Sequence, residues 1–159
     1  MTHPTNSSAR YLGEIVRPRI ARGAAVSGRA PVDCPLMAAG FVATGVDADA
    51  VAAKREWARE LLGFLYSTPS YWPSLDLFGF RDVGEALHAK TREGDWAGMQ
   101  GLVTDEMLDA FVPSAPYADI ARRLLDDYAG LASRITFPMP DDPTEDAAAR
   151  DVIGALQAG

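Results

Sequence analysis

The chain has 159 residues and a mass of 17.0 kDa, within the usual span of one domain. That length can support a buried core, but a complete (β/α)8 barrel takes roughly 250 residues and seldom fewer than 200, so it cannot hold one alone. A composition of 48% apolar and 23% charged residues excludes a disordered chain, and a net charge of −7 excludes the basic footprint of a nucleic-acid or anionic-membrane binder. The single cysteine, Cys34, forms no internal disulfide and points to a reducing, cytoplasmic setting. Met1 to Arg10 has no apolar core and does not read as a signal peptide. The longest mostly apolar run, Leu36 to Val46, is far short of the roughly 20 residues of a membrane span.

Asn6 to Ser8 offer short oxygens that can cap a helix, and Leu12, Ile15, Val16 and Ile20 follow at helical spacing. Pro18 inside that pattern should bend or shorten the helix. Leu36 to Thr44 reads as a buried strand with two dry faces, although its alanines and Gly40 are weak strand formers. Asp47 caps a long helix from about Ala48 to Tyr66, whose apolar stripe is Val51, Ala58, Leu61, Leu62 and Leu65. Thr68 to Phe80 holds two prolines with Tyr71, Trp72, Phe78 and Phe80, and reads as an aromatic-loaded loop.

Asp82 is expected to cap a helix reaching about Arg92, ended by Gly94. Asp95 and Thr104 cap two further short helices. Ala110 to Ser114 is a strand candidate interrupted by Pro113. Pro116 opens an amphipathic helix in which Ile120, Leu124, Tyr128 and Leu131 recur, with Gly130 at its end. Ser133 to Phe137 is the third strand, and Thr144 caps a last helix carrying Val152, Ile153 and Leu156. Strands alternating with helices predict a single α/β domain over residues 1–159, with about three parallel strands, covering helices and a helical insertion.

No short motif carries a reaction: G-x-G-x-x-G, a P-loop, H-E-x-x-H and C-x-x-C are all missing. His3 and His88 are far apart, and neither they nor Cys34 build a metal ligand set, so no metal site is expected. His88, beside Lys90 and Arg92, reads as a solvated surface residue. His3-Pro-Thr-Asn-Ser, ahead of a helix start, reads either as a frayed terminus or as a seat for an anion such as phosphate. Ser114 and Tyr117 flank a helix start directly after a strand, where α/β sheets bind ligands; the plainer reading of Ser114 is a helix cap. Asp126–Asp127 and Asp141–Asp142 read as solvated pairs.

In order along nearly the whole chain, several stretches resemble the C-terminal half of luciferase-like oxidoreductases, especially the branch that uses the deazaflavin coenzyme F420. They are His3 to Ser7 with Tyr11-Leu12, Pro18 to Ala24, Phe41 to Gly45, Tyr66 to Pro69, Leu75 to Phe80, Gly94-Asp95-Trp96, Thr104 to Phe111, and Tyr128 to Phe137. The resemblance implies a partial (β/α)8 barrel whose first five or so strands lie outside this chain. It implies oxidoreduction dependent on FMN or F420, with or without oxygen incorporation, on a small-molecule substrate. It assigns His3, Asn6 and Ser7, and more weakly Ser114, to cofactor or substrate contact. Two departures stand out. Ala115-Pro116-Tyr117 replaces a Gly-Thr-Pro-like turn, and Phe78-Gly79-Phe80 replaces a His-Gly-Trp, removing a polar group. Three short strands leave open sheet edges. A short relic, a partial reading frame or a partner supplying the missing strands would each account for them, and a non-catalytic interaction or oligomerisation module is the alternative function.

Overall fold

The computed structural model describes residues 1–159. Helices dominate: α1 (Ala9–Tyr11), α2 (Arg17–Val26), α3 (Ala48–Tyr66), α4 (Trp72–Phe78), α5 (Arg81–Glu93), α6 (Asp105–Phe111), α7 (Tyr117–Tyr128) and α8 (Asp146–Ala158). Two short strands, β1 (Met37–Ala38) and β2 (Arg134–Ile135), pair in parallel, with Met37 opposite Arg134 and Ala38 opposite Ile135. A single parallel bridge joins Ala43 to Ser114. The expected barrel sector is thus reduced to its middle. Residues 36–45 form a shared extended segment that meets β2 at its start and residues 113–117 at its end, where Ala115 and Tyr117 donate to Ala43 and Gly45 carbonyls. The interval between is not paired as strand, and it is there that Gly40 passes against Tyr128 and Ser7: a Cβ on it would stand 3.3 Å from the Tyr128 hydroxyl.

Two cores flank this segment. On one side Ala58, Leu62 and Tyr66 of α3 pack with Leu75, Leu87, Met107, Leu108 and Phe111. On the other, Leu12, Leu36 and Ala38 meet Ile120, Leu124 and Tyr128 of α7 and Val152 of α8. Ala58 and Leu62 of the stripe read on α3, and Ile120, Leu124 and Tyr128 of that on α7, are thus core residues, while Leu61 and Leu65 are half-buried outside the two cores. No helix is long and apolar enough to cross a membrane.

Local chemistry sets the helix ends. Asp47 Oδ1 accepts from Ala50 N at 2.9 Å, and Thr104 Oγ1 accepts from Met107 N at 3.3 Å, as the sequence predicts. Asp95 Oδ1 accepts from Gly98 N, but the turn it starts, Ala97–Leu102, is 3-10. Gly94 and Gly130 stop their helices with φ of 73° and 69°. Pro18 does not break the first helix. A π-turn over Leu12–Val16 lets Arg17 N reach Leu12 O, so α2 restarts with proline in its first turn, where no N–H is required.

Four expectations are corrected. The aromatic stretch 68–80 is a 3-10 turn, Pro69–Tyr71, followed by α4, because its rings pack inward: Trp72 Nε1 donates to Tyr66 O at 2.8 Å. Asp82 lies within the first turn of α5 rather than capping it. Residues 110–111 belong to α6, so the second strand shrinks to the Ser114 bridge. Asp142, not Thr144, caps the last helical region, accepting from Thr144 N at 2.8 Å.

Candidate functional site

The loop before α1 begins with His3, which caps the 3-10 turn Pro4–Asn6. Its ring is exposed and lies flat on Tyr71, with centroids 4.7 Å apart and planes 9° apart. Nδ1 is 2.9 Å from Thr5 Oγ1, which leaves Nε2 without a partner in the chain. The loop is therefore ordered rather than frayed. Two tyrosines reach it from opposite cores: Tyr66 of α3 donates to Thr5 O at 3.2 Å, and Tyr128 of α7 donates to Ser7 O at 3.0 Å. Burial raises the pKa of both phenols, Tyr128 to about 12, with Asp127 adding to the shift and Arg123 opposing it. Ser74 stands close enough to Tyr66 to offset its shift in part, without an aligned hydrogen bond of its own.

Ser7 is fully buried and its hydroxyl is committed to the fold. It donates to His3 O at 2.9 Å, accepts from Ala39 N at 3.3 Å and lies 2.6 Å from the Thr2 hydroxyl. Asn6 differs: its Oδ1 is buried and has no partner. A buried oxygen left unpaired costs about 1–3 kcal/mol.

Ser114 is held elsewhere. It donates to Val112 O at 2.8 Å and accepts from Arg55 Nη1 at 3.0 Å, while the same nitrogen pairs with Asp109 at 2.9 Å. It is not a helix cap. Pro116 takes that position, and α7 has no side-chain cap. Tyr117 turns away to donate to Glu145 at 2.8 Å; burial first, and then Glu145, raise its pKa to about 12. At the end of the central segment Thr44 Oγ1 is also buried and unpaired.

The structure thus gathers His3, Asn6 and Ser7 in one loop but ties Ser114 into a separate network with Arg55. A pocket of about 240 Å3 touches the loop's end, lined by Ser8, Arg10, Phe78, Phe111, Arg123 and Tyr128 among others. Arg10 lies over the Phe78 ring at 5.2 Å, so the position where a polar group is missing faces a guanidinium. Sequence reasoning passed over Arg10, Arg55 and Arg123, because single arginines on helices carry no spacing signal. His88 is corrected as well: it is half-buried, its Nδ1 is 2.9 Å from Ser67 O, and Trp72 meets its ring edge-on. No group of three or more His, Cys, Asp or Glu is arranged to hold a metal.

Flavin or F420 can be tested against this arrangement. Asn6 Oδ1 and the free edge of His3 suit a ligand contact, but Ser7 and Ser114 do not, since both hydroxyls are spent within the chain. Pro116 also removes an N–H from the turn a phosphate would approach. Ligand pockets span about 300–1,000 Å3. The pocket at the loop is smaller, at about 240 Å3. A larger groove, about 930 Å3, is lined by none of His3, Asn6, Ser7 and Ser114. These 159 residues do not by themselves fit the group.

Comparison with known proteins agrees with this partial geometry. Residues 2–134 match the model of the family described as luciferase-like monooxygenase. The chain is 38% identical over 137 residues to uncharacterized proteins of Mycobacterium bovis (strain ATCC BAA-935 / AF2122/97) and Mycobacterium tuberculosis (strain ATCC 25618 / H37Rv). That alignment covers 84% of this chain and 39% of each relative, so the chain spans well under half of their length. With the match running over most of its residues, the chain belongs to the luciferase-like monooxygenase family.

Proposed function

We propose that this chain supplies one sector of an oxidoreductase dependent on a flavin or the deazaflavin F420, and that polypeptide beyond these residues completes the site. The observation that carries this reading is Asn6 Oδ1, buried and unpaired in a loop that two tyrosines from opposite cores hold in place. That unpaired oxygen supports a reading in which a group from outside these residues reaches the loop. His3 stands beside it, fixed by Tyr71 and Thr5 with one ring nitrogen open, and can donate to or accept from the same ligand. The reaction chemistry belongs to the cofactor; the residues of this chain bind and orient it.

The test titrates FMN and F420 by fluorescence against the chain alone. The titration is repeated with the chain mixed with the part of the M. tuberculosis relative that it does not span. The chain alone is expected to show no saturable binding, and the assembled pair to bind one of the two cofactors. His3→Ala and Asn6→Ala in the pair should each weaken binding about tenfold, or ~1.4 kcal/mol. Saturable binding by the chain alone would refute the sector reading. A verified complex that binds neither cofactor would refute the oxidoreductase reading.

A further inference from the structure

The pocket of about 240 Å3 at the end of the His3–Ser7 loop is walled by the start of α1, the ends of α4 and α6, and the second half of α7. Its open hydrogen-bonding capacity is one-sided. Arg10 reaches Glu14 through Nε alone, at 2.9 Å, and Arg123 reaches Asp127 through Nε alone, at 2.6 Å, so the Nη groups of both guanidiniums carry no partner. Ser8 is buried; its hydroxyl accepts from Tyr11 N at 3.3 Å and donates to nothing in the chain. The two carboxylates on the wall each hold an arginine already, Asp127 through Arg123 and Asp109 through Arg55. The unspent groups of the wall are therefore mainly donors. Beside them is an apolar corner, where the Phe78 and Phe111 rings meet edge to face at 4.8 Å. Phe78, in the place of the histidine of a His-Gly-Trp, gives this corner its apolar character.

We propose that this pocket binds a small aromatic monocarboxylate, with its carboxylate on the Nη groups of Arg10 and Arg123 and its ring against Phe78 and Phe111. A guanidinium takes a planar carboxylate through paired N–H donors, and the Ser8 hydroxyl adds a third source. Arg10 gives up Glu14 at little cost, since both members of that pair stand about half in solvent. Size narrows the class: a cavity of about 150 Å3 is enough for benzene, so this one holds a single ring with one carboxylate and excludes a fused tricyclic system. Charge narrows it further. A dianion such as phosphate would lie close to Asp109 and Asp127 and would leave the aromatic corner empty, whereas an aromatic ammonium would meet two guanidiniums. Binding needs only residues of this chain. On the proposed function, a molecule held here lies next to the cofactor loop, through Ser8, and occupies the substrate's place; that role rests on the reading above, while the binding does not.

Titration of the full chain alone with benzoate, followed by the NMR shifts of the Arg10 and Arg123 side-chain Nε–H groups, tests it. Saturation is expected with a Kd of about 1 mM or tighter, as suits a ligand of so few atoms. Benzylamine and inorganic phosphate should each bind at least about tenfold more weakly. Arg10→Met keeps an apolar stem beside Phe78 and removes the charge, so it should weaken benzoate by about tenfold. Arg22→Met, exposed on α2, should leave benzoate binding unchanged. Unchanged helical circular dichroism shows that each variant folds. A folded chain that benzoate does not saturate by about 20 mM overturns the proposal. Benzylamine bound as tightly as benzoate overturns it too, as does a Kd indifferent to Arg10→Met. None of these results bears on the FMN and F420 titrations of the assembled pair, so the two readings fail separately.

Discussion

The brace on the His3–Ser7 loop can be measured by removing one oxygen. Tyr128 is 4% exposed, and its hydroxyl donates to the carbonyl of Ser7, which is itself fully buried. Tyr128→Phe keeps the ring in the α7 core and deletes only that donor. A neutral hydrogen bond contributes about 0.5–1.5 kcal/mol net, and a buried carbonyl left without a partner costs about 1–3 kcal/mol, so a loss of about 1–3 kcal/mol is expected. In a domain of 150–250 residues each kcal/mol moves Tm by roughly 2–4 °C. Urea unfolding should show a lower midpoint with an unchanged slope, because the surface exposed on unfolding is the same. Tyr66→Phe removes the matching bond to Thr5 O. Both hydroxyls tie one loop, so the double variant should fall short of additivity by about 0.5 kcal/mol or more. If Tyr128→Phe lies within about 0.3 kcal/mol of wild type, or the two losses simply add, the loop is not the shared rigid element described above.

Two further outcomes follow from the same packing. Three of the five tyrosines, Tyr66, Tyr117 and Tyr128, have phenols raised above the ordinary value of 10.0, two of them to about 12. A raised folded pKa makes the neutral phenol a stabilising feature that is complete below pH 10 and lost as the pH climbs through 12. Absorbance at the phenolate band should therefore lag behind a free-tyrosine curve and catch up when the fold opens; a single transition near 10 with the protein still folded would contradict the burial of these groups. Leu124 is fully buried between α7 and the central segment. Leu124→Ala should cost about 2–5 kcal/mol by calorimetry, and a loss under about 1 kcal/mol would mean that the second core is loosely packed.

What the sequence revealed is what short-range chemistry controls. Asp47 and Thr104 cap their helices because a short oxygen three residues ahead of a free N–H acts within one turn, whatever the rest of the fold does. The stripes of α3 and α7 were readable because each period of a helix repeats the same face. The strands were less so. Leu36 to Thr44 is apolar enough for a strand, but Gly40 yields its place to a close passage of Tyr128 and Ser7, and pairing survives only at the two ends. The aromatic stretch became a helix because Trp72 found a carbonyl and a core, a tertiary gain no local propensity records. Within the candidate site, His3, Asn6 and Ser7 were singled out by the family resemblance rather than by spacing. The engagement of Ser7 and Ser114 was not legible, since it depends on Thr2, Ala39 and Arg55, the last 59 residues away from Ser114.

Arg55 explains why family membership and a complete site part company here. In a fold whose ligands lie beyond the carboxyl ends of strands, the serine after a strand is useful when its hydroxyl can turn to the ligand. Here the Ser114 hydrogen goes to Val112 O and a lone pair to Arg55, which is itself neutralised by Asp109. A phosphate arriving at this turn would compete with a carboxylate for the guanidinium and find no free donor on Ser114. It would also meet Pro116 where a backbone N–H is wanted. At the other end of the same segment Asn6 keeps an unpaired oxygen inside a rigid loop. One end of the sector has closed on itself, while at the other the exposed His3 keeps one ring nitrogen free. On the proposed function, the cofactor is met from the His3 and Asn6 side, and any phosphate it carries is bound by residues outside these 159.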